Sequence, residues 1–521
     1  MDTLLSRLGG KVNSIITGFD RIVFKGIIRP IMYPEGMESF LRSRKVRNKD
    51  FKDYVMAQSK AIVGSVEEIA KEQSGRGIEY IPSLNERKEA LAHKRQEESG
   101  KTEGLIGIWS CVESCNTFRS KYDPTKTYPS LNAERSKCKH LYYYFDDPAY
   151  GFMSVRLQTW APYEIQVALN GREWLRRSLD AEGCGYFVSG NKFLHIDDYG
   201  LAQRLLDEQI KTDFHSILNG LLPSVFPRMP EVLGPSLSYY WTSWQSEIAR
   251  DYIFKDGDVL GALMYDLQLH AMITGNGSRI LKYFGSPVRA DGQPYRNANP
   301  KIFSRTRNWC DGARVRHYSG KNSVKFYNEH NVLRFETTIN DPTTFRICRH
   351  SEDQFEGDPK RLLPMRKGIV DMEARAEVSK AIIDRFTEQM ATIREKTRLW
   401  ELLDTVDAPL VQDDKRTRAL DVYGKDKELL RAISDPAFNV NAITNKELQR
   451  ILSGKPWAKD MTGKRLSGRI TRHLALLRKH GLIEQLPKQR KYVLTDKGRK
   501  ITTVLNVSLA ASVEELLDKA A

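Results

Sequence analysis

One short segment of the chain combines the residue types that handle phosphate groups. Lys325 and Tyr327 stand two residues apart, as do Arg334 and Glu336, and the turn signal at 329–331 separates the two pairs. Strand residues two apart share a face, so the sequence predicts a β-hairpin that presents these side chains. Such a surface grips a nucleic-acid backbone and polarises a phosphate, while its tyrosine stacks on a base or attacks phosphorus.

Acidic residues beside strand-like segments are a second source of catalytic chemistry. Asp20, Glu113 and Asp146 lie in or next to such segments in the N-terminal third. Carboxylates that project from a sheet hold Mg²⁺ in many nucleases and transposases. Together with Tyr327 and Glu336 they form the predicted catalytic set, and Mg²⁺ is the cofactor that a nuclease would need.

Two cysteine-containing segments supply a candidate structural zinc site. Cys111 and Cys115 share one face of a predicted extended segment, and so do Cys138 and His140. Four sulfur and nitrogen donors satisfy a tetrahedral Zn²⁺. The spacing differs from the common Cys-x2-Cys knuckle, and a cysteine in a strand also serves as a small buried apolar residue. Both interpretations stay open.

The charge balance indicates the kind of partner. The chain of 521 residues holds 82 Lys and Arg against 66 Asp and Glu, a net charge of +16 with a pI near 9.3. That excess points to nucleic acid, without choosing between DNA and RNA. The sequence has no apolar run of about 18 residues, no secretory signal and only sparse cysteine. We expect no membrane contact and a cytoplasmic or nucleoid-associated location, with the oligomeric state open.

Composition shifts divide the chain into five predicted segments. They are a mixed α/β N-terminal domain (1–199), a helical region (200–287), a basic β-hairpin sheet plus a long helix (288–406), a linker (407–438) and a C-terminal domain (439–521). In the helical region, Glu247 and Asp251 stand four residues apart on an expected helix, where a solvated face explains them better than a shared metal. Nucleotide-binding loops, the serine-hydrolase elbow and the zincin motif are absent from the sequence.

The C-terminal segment carries the most specific fold signal. The predicted helix 466–480 has one apolar and one basic face and ends at Gly481, and two short strands follow it. This order, with the passage LLRKHGLIEQ…RKYVLTDKGR, resembles the winged helix-turn-helix family of DNA-binding domains. A protein-contact role with a solvated basic face is the alternative.

Basic side chains in two regions are the predicted nucleic-acid contacts. In the C-terminal segment they are Arg465, Arg469, Arg472, Lys479, Lys488, Arg490 and Lys491. In and after the central hairpin they are Arg316, Lys321, Asn322, Lys325, Arg334, Arg366 and Lys367.

Two further resemblances bear on function. The hairpin resembles, over Lys325, Tyr327, Arg334 and Glu336, the K-x-Y-D-K…R-x-E pattern of phage rolling-circle replication initiators, although residues 328–329 depart from it. The chain also resembles an uncharacterised bacterial family whose members occur in multiple copies. That resemblance rests on the segments FDRIVFKGIIRP (19–30), CVESC (111–115), KCKHLYYY (137–144), GFMSVRLQTWAPYEIQVALNGREWL (151–175), NSVKFY (322–327), LRFETTINDP (333–342) and MRKG (365–368).

The sequence therefore predicts an α+β protein of several domains, with a central basic β-hairpin sheet and a C-terminal winged helix-turn-helix. The predicted function is nucleic-acid binding in a mobile element, of the replication-initiator or transposase kind, with cleavage of phosphodiester bonds by a metal-dependent nuclease or strand transferase. A non-enzymatic RNA-binding protein of a ribonucleoprotein and a DNA-binding regulator are the alternatives.

Overall fold

The computed structural model describes residues 2–82, 87–122, 124–125, 127–286, 301–309, 312–351, 359–392, 399–412, 415–435, 438, 442–486 and 489–510. The chain divides into two compact units. The first joins Met1–Leu269 to Ser304–Ala391, and the second joins His270–Phe303 to Thr392–Ala521. Helices and a large mixed sheet occur together, which confirms the predicted α+β class.

The strands and helices have the following bounds. The strands are β1 (Val12–Ile27), β2 (Glu79–Tyr80), β3 (Gly104–Lys121), β4 (Ser130–Asp147), β5 (Gly151–Gln158), β6 (Ile165–Asn170), β7 (Tyr186–Ser189), β8 (Lys192–Ile196), β9 (Tyr240–Phe254), β10 (Ile302–Trp309), β11 (Gly312–Ser319), β12 (Asn322–Glu329), β13 (Val332–Ile339), β14 (Arg346–Arg349), β15 (Arg361–Pro364), β16 (Leu410–Gln412), β17 (Lys415–Thr417), β18 (Ile483–Gln485) and β19 (Tyr492–Leu494). The helices are α1 (Thr3–Leu8), α2 (Pro34–Ser43), α3 (Phe51–Ser74), α4 (Lys88–Ser99), α5 (Gly171–Ala181), α6 (Tyr199–Ile210), α7 (Phe214–Val225), α8 (Met229–Leu233), α9 (Gly257–Thr274), α10 (Gly277–Tyr283), α11 (Met372–Met390), α12 (Leu399–Asp407), α13 (Lys427–Ile433), α14 (Asn445–Leu452), α15 (Gly463–Lys479) and α16 (Asp496–Ala510).

One eleven-stranded sheet organises the first unit. Its strand order is β10-β11-β12-β13-β9-β1-β6-β5-β4-β3-β2. Strand β1 lies in the interior of the sheet, antiparallel to β9 on one side and to β6 on the other. The predicted central hairpin corresponds to β12 and β13, and β13 pairs with β9. The hairpin is therefore joined to the N-terminal strands in one sheet, although the sequence divided them between two domains.

The segment predicted as helical (200–287) contains a long strand of this sheet, so that part of the prediction is wrong. Residues 248–254 of β9 are all buried, because strands and helices enclose them. A strand buried on both faces loses the alternation of apolar and polar residues by which a strand is recognised. Its apolar content therefore resembled that of the neighbouring helices α6, α7 and α9.

The two faces of the hairpin differ in chemistry. Phe326 and Phe335 pack against Phe386 of α11, with ring centroids 5.5–5.9 Å apart. The alternate residues of β12 and β13 point to the other face and include Tyr327 and Arg334. Helix α5 and the β7–β8 hairpin lie over part of that polar face, where Arg334 donates to the Asn191 carbonyl.

The second unit has its own apolar core. The segment 407–438, predicted as a linker, contributes Leu420, Val422 and Leu429 to that core, where Ile470 and Leu477 of α15 also lie. The dense charges between residues 407 and 427 hid these apolar positions in the sequence. Among the described residues, no helix has the length and apolar content to cross a bilayer.

Gly171, the first residue of α5, permits a close approach that positions the helix. A Cβ at Gly171 would lie 2.3 Å from the carbonyl oxygen of Phe19 in β1. We predict that Gly171→Ala lowers the free energy of unfolding by about 1–3 kcal/mol, because the interior strand β1 cannot move aside. Gly64→Ala is the control. Gly64 is exposed in α3 with no atom near a Cβ, so its change should raise stability by about 0.5–1 kcal/mol. Equal effects in urea denaturation would contradict this packing.

Candidate active site

Three carboxylates from three adjacent strands meet on the polar face of the sheet. Asp20 comes from β1, Glu247 from β9 and Glu336 from β13, and oxygen atoms of the three lie within 4.8 Å of one another. Asp20 and Glu336 are buried, and Glu247 is half-buried. Three carboxylates at this spacing are a donor set that suits a hard divalent cation such as Mg²⁺.

A β-bulge places Asp20 in the cluster. Phe19 pairs with Ile248 and Arg21 pairs with Glu247, so Asp20 is an extra residue with no partner on β9. A bulge redirects the side chains around it, and bulges are common beside active sites. Both Asp20 and Arg21 consequently line the same cavity, although they are consecutive residues of one strand.

Buried Arg334 fixes the positions of the Asp20 and Asp251 carboxylates. Its guanidinium forms two bonds with Asp251, of 2.6 and 2.8 Å, and a third of 2.8 Å with Asp20. Arg172 of α5 adds a 3.2 Å ion pair to Asp251. Arg334 is 1% exposed. The structure therefore makes Arg334 an internal cation that orients Asp20, where the sequence predicted an exposed phosphate contact.

Lys325 and Tyr327 complete the cluster around Glu336. The Lys325 ammonium lies 2.7 Å from Glu336 Oε1, and the Tyr327 hydroxyl donates to Oε2 at 3.4 Å. Burial, together with the negative charges of Asp20 and Glu247, raises the pKa of Glu336 to about 7, against the opposing effect of Lys325. Glu336 can therefore take up or release a proton near neutral pH.

The charges of the cluster do not balance. Within the set of four carboxylates and three cations that contact one another, the formal charge is −1: Asp20, Glu247, Asp251 and Glu336, with Arg172, Lys325 and Arg334. Two further cations lie nearby, Lys192, which pairs with Glu329, and the exposed Arg21. A buried excess charge is costly, so the cluster favours an additional positive species. A proton on Glu336 or a cation held by the three carboxylates supplies it.

Five residues selected from the sequence thus converge at one place. They are Asp20, Lys325, Tyr327, Arg334 and Glu336. The remaining two catalytic candidates lie elsewhere. Glu113 accepts bonds from Tyr142, Lys88 and Arg156, and these contacts lower its pKa to about 2, although burial opposes them. Asp146 bonds to Arg177 and Gln96. Neither acid belongs to the carboxylate cluster.

The proposed zinc ligands do not converge on one point. Cys115 and Cys138 form a disulfide, the Cys111 thiol donates to Glu113, and His140 Nδ1 faces the Cys138 carbonyl. No three of these four residues bring their ligand atoms as close together as the acidic cluster does. The geometry therefore gives no support to a four-ligand zinc site.

The other predicted nucleic-acid contacts of the first unit differ in how exposed their side chains are and in whether they are already bonded. Lys321 and Lys367 are exposed. Arg316 bonds to Ser323 and Thr338, and Arg366 forms an ion pair with Asp371. Asn322 is buried and bonds to the backbone of Asn340 and Asp341, in the loop after β13. Its role is therefore to hold that loop. It is not a surface contact.

In the second unit, the predicted contacts lie on α15 and next to β19. Arg469 stacks on Trp457, and Lys479 bonds to Thr417. Lys488 lies outside the described residues. The remaining four are exposed: Arg465, Arg472, Arg490 and Lys491.

Sequence reasoning assigned Glu247 and Asp251 to a solvated helix face and missed their place in the cluster. Their spacing of four residues also places two side chains on one face of a strand, because four is an even number. The aromatic and β-branched residues at 239–244 were the signal that favoured a strand over a helix there. Arg172 and Asn191, which also bond within the cluster, carried no local signal.

Comparison with known protein families, with curated proteins and with solved structures finds no match to this chain. What the cluster does is therefore inferred from its own geometry.

The raised pKa of Glu336 predicts a pH effect on stability. The folded chain holds this proton more tightly than the unfolded chain, so the stabilising contribution is present below pH 4.5 and is lost as pH rises through about 7. The amide of Glu336→Gln does not ionise in this range, so the variant cannot lose this contribution as pH rises. We predict that the stability of this variant, relative to the unchanged protein, rises between about pH 5.5 and about pH 8.5 in urea denaturation.

The matched control for that experiment is Glu113→Gln. The pKa of Glu113 is lowered to about 2, so Glu113 stays ionised in the folded and the unfolded chain across this pH range. Its variant should lose stability by the same amount at both pH values. A Glu336→Gln variant that behaves in the same way would contradict the raised pKa.

Proposed function

We propose that this protein is a divalent-cation-dependent enzyme that cleaves phosphodiester bonds in DNA. The observation that carries the proposal is the meeting of Asp20, Glu247 and Glu336 within 4.8 Å on one face of the sheet. Asp20 and Glu336, which supply two of these oxygens, lie more than 300 positions apart in the sequence. Buried acids are costly, and three of them at one point are favoured where they bind a cation.

The side chains around the carboxylates have distinct roles in this proposal. Arg334 orients Asp20, and Lys325 holds Glu336 in place by an ion pair. Arg21 is exposed beside the cluster and forms no hydrogen bond or ion pair with any residue that the structure describes, so it is free to contact a phosphate. A Mg²⁺ ion held by the three carboxylates would supply Lewis-acid stabilisation of the phosphate and lower the pKa of water.

The second unit supports DNA as the substrate. Its elements follow in the order α13, α14, α15 and the β18–β19 hairpin, and Ile443, between α13 and α14, bridges to Tyr492 of β19. This is the order expected of a winged helix-turn-helix, in which α15 would enter the major groove. Exposed Arg465 and Arg472 on α15 suit phosphate contacts.

The contact between Tyr327 and Glu336 favours a second form of the reaction. The tyrosyl oxygen would bond to phosphorus as the bridging P–O bond breaks, and Glu336 would take the phenolic proton and return it to the leaving oxygen. This form corresponds to the replication-initiator side of the proposed mobile-element function. Burial raises the pKa of Tyr327, and Arg334 opposes that effect only in part, so we place hydrolysis first.

The test is cleavage of supercoiled plasmid and of single-stranded DNA by the full chain with Mg²⁺. We predict that Asp20→Asn, Glu247→Gln and Glu336→Gln each reduce the rate at least about 100-fold, because each removes a cation ligand. Asp146→Asn is the control and should retain the rate, since Asp146 lies outside the cluster and lines neither cavity beside it. Tyr327→Phe should retain cleavage if hydrolysis is correct and lose a covalent protein–DNA adduct if the tyrosine attacks.

Cleavage that persists in all three cluster variants would exclude this site. Absence of cleavage by the unchanged protein, with tight binding of DNA or of a defined RNA, would favour the non-enzymatic alternatives.

A further inference from the structure

A polar groove leads away from the acidic cluster across the sheet. Two adjacent cavities, of about 340 and about 440 Å³, share the lining residues Arg21, Glu89, Ser154 and Ala168, and we treat them together as one groove. It begins at Asp20 and Glu247 and extends to Tyr142 and Arg156. All of these residues belong to the first unit.

The floor of the groove consists of two rows of side chains that cross four strands. One row is Val23, Ala168, Ser154 and Tyr144, and the other is Gln166, Arg156 and Tyr142. Strands lie about 4.8 Å apart, so the floor from β1 to β4 is about 14 Å long. At about 3.4 Å for each stacked base, it accommodates about four nucleotides at most.

The chemistry of the groove suits unpaired bases. His93 of α4 stacks on Phe152 at 3.9 Å, which gives the groove an aromatic wall beside the acidic cluster. The small residues Ser154 and Ala168 leave space in front of that wall. Flat aromatic surfaces bind bases of any sequence by stacking, and an amide such as that of Gln166 bonds to base edges.

The charges indicate how a strand would lie. Arg21 is exposed and has no partner among the described residues, whereas Arg156 is bound to Glu113 and Lys25 to Glu164. Glu89 lines both cavities and repels phosphates, so the bases would face the floor and a phosphate would lie near Arg21. Arg21 also borders the carboxylate cluster, which places that phosphate next to the proposed cation site.

We infer that this groove binds a short unpaired segment of DNA and delivers one of its phosphates to the acidic cluster. The inference rests on the proposed function for its choice of DNA and for the cation that offsets the carboxylates beside the phosphate, but binding in the groove needs no cleavage. The groove would select sites where the strands are separated.

The test measures binding without cleavage. A fluorescein-labelled oligothymidine of 12 nucleotides is titrated with the full chain in Ca²⁺, a hard cation that carboxylates also bind, and fluorescence anisotropy gives the affinity. We expect Arg21→Glu to weaken binding about tenfold, because a phosphate contact becomes a repulsion. Arg21→Lys should stay within about threefold of the unchanged protein. Affinity for a duplex of 20 base pairs should not change in either variant.

Arg204→Glu provides the matched control. Arg204 is an exposed arginine on α6 that lines neither cavity, so its reversal should leave oligothymidine binding unchanged. Equal effects of the two reversals, or no effect of Arg21→Glu, would overturn the inference. Tighter binding of oligouridine with the same dependence on Arg21 would overturn the choice of DNA. Each outcome can be read whether or not the protein cleaves DNA with Mg²⁺.

Discussion

The buried contact of Arg334 with Asp20 and Asp251 is the interaction on which the polar face of the sheet depends. These three residues come from β13, β1 and β9, so the contact links three adjacent strands through their side chains as well as their backbones. Removing one partner of a buried ion pair leaves an uncompensated charge, which costs about 3–5 kcal/mol. The network therefore fixes the register of the strands and the position of the Asp20 carboxylate together.

The same network contains one more carboxylate than cations. Asp251 is engaged on both oxygens by Arg334 and Arg172. Asp20, Glu247 and Glu336 each have a bonding partner as well, yet they bring oxygen atoms within 4.8 Å of one another. A protein that only needed a stable sheet would place apolar residues here at less cost. Under the proposed function these carboxylates would hold a cation, and a proton on Glu336 would substitute until the cation binds.

How much of this could be predicted from the sequence depends on the distance over which each signal acts. The hairpin of β12 and β13 was predictable, because alternation and a turn signal are local, and so were its residues Lys325 and Glu336. Asp20 was recognised as an acid beside a strand. Its meeting with Glu336 was not predictable, because strand order in a sheet is a long-range property that one sequence does not reveal.

Two errors had physical causes of the same kind. Strand β9 was predicted as a helix because burial on both faces removed its alternation, and Glu247 was lost with it. Cys115 and Cys138 were considered as zinc ligands, whereas pairing of β3 with β4 places Cys115 opposite Ser136 and so close enough to Cys138 for a disulfide. The order of elements in the C-terminal unit, by contrast, followed from local periodicity and a glycine stop.

The central claim is that Asp20, Glu247 and Glu336 hold one divalent cation together. Titration of the full chain with Mn²⁺, followed by electron paramagnetic resonance, measures that directly. The account predicts a site in the unchanged protein that Mg²⁺ competes for, that Asp20→Asn and Glu336→Gln each abolish, and that Glu113→Gln leaves intact. Mn²⁺ binding that is unchanged by both cluster variants, or absent from the unchanged protein, would contradict it.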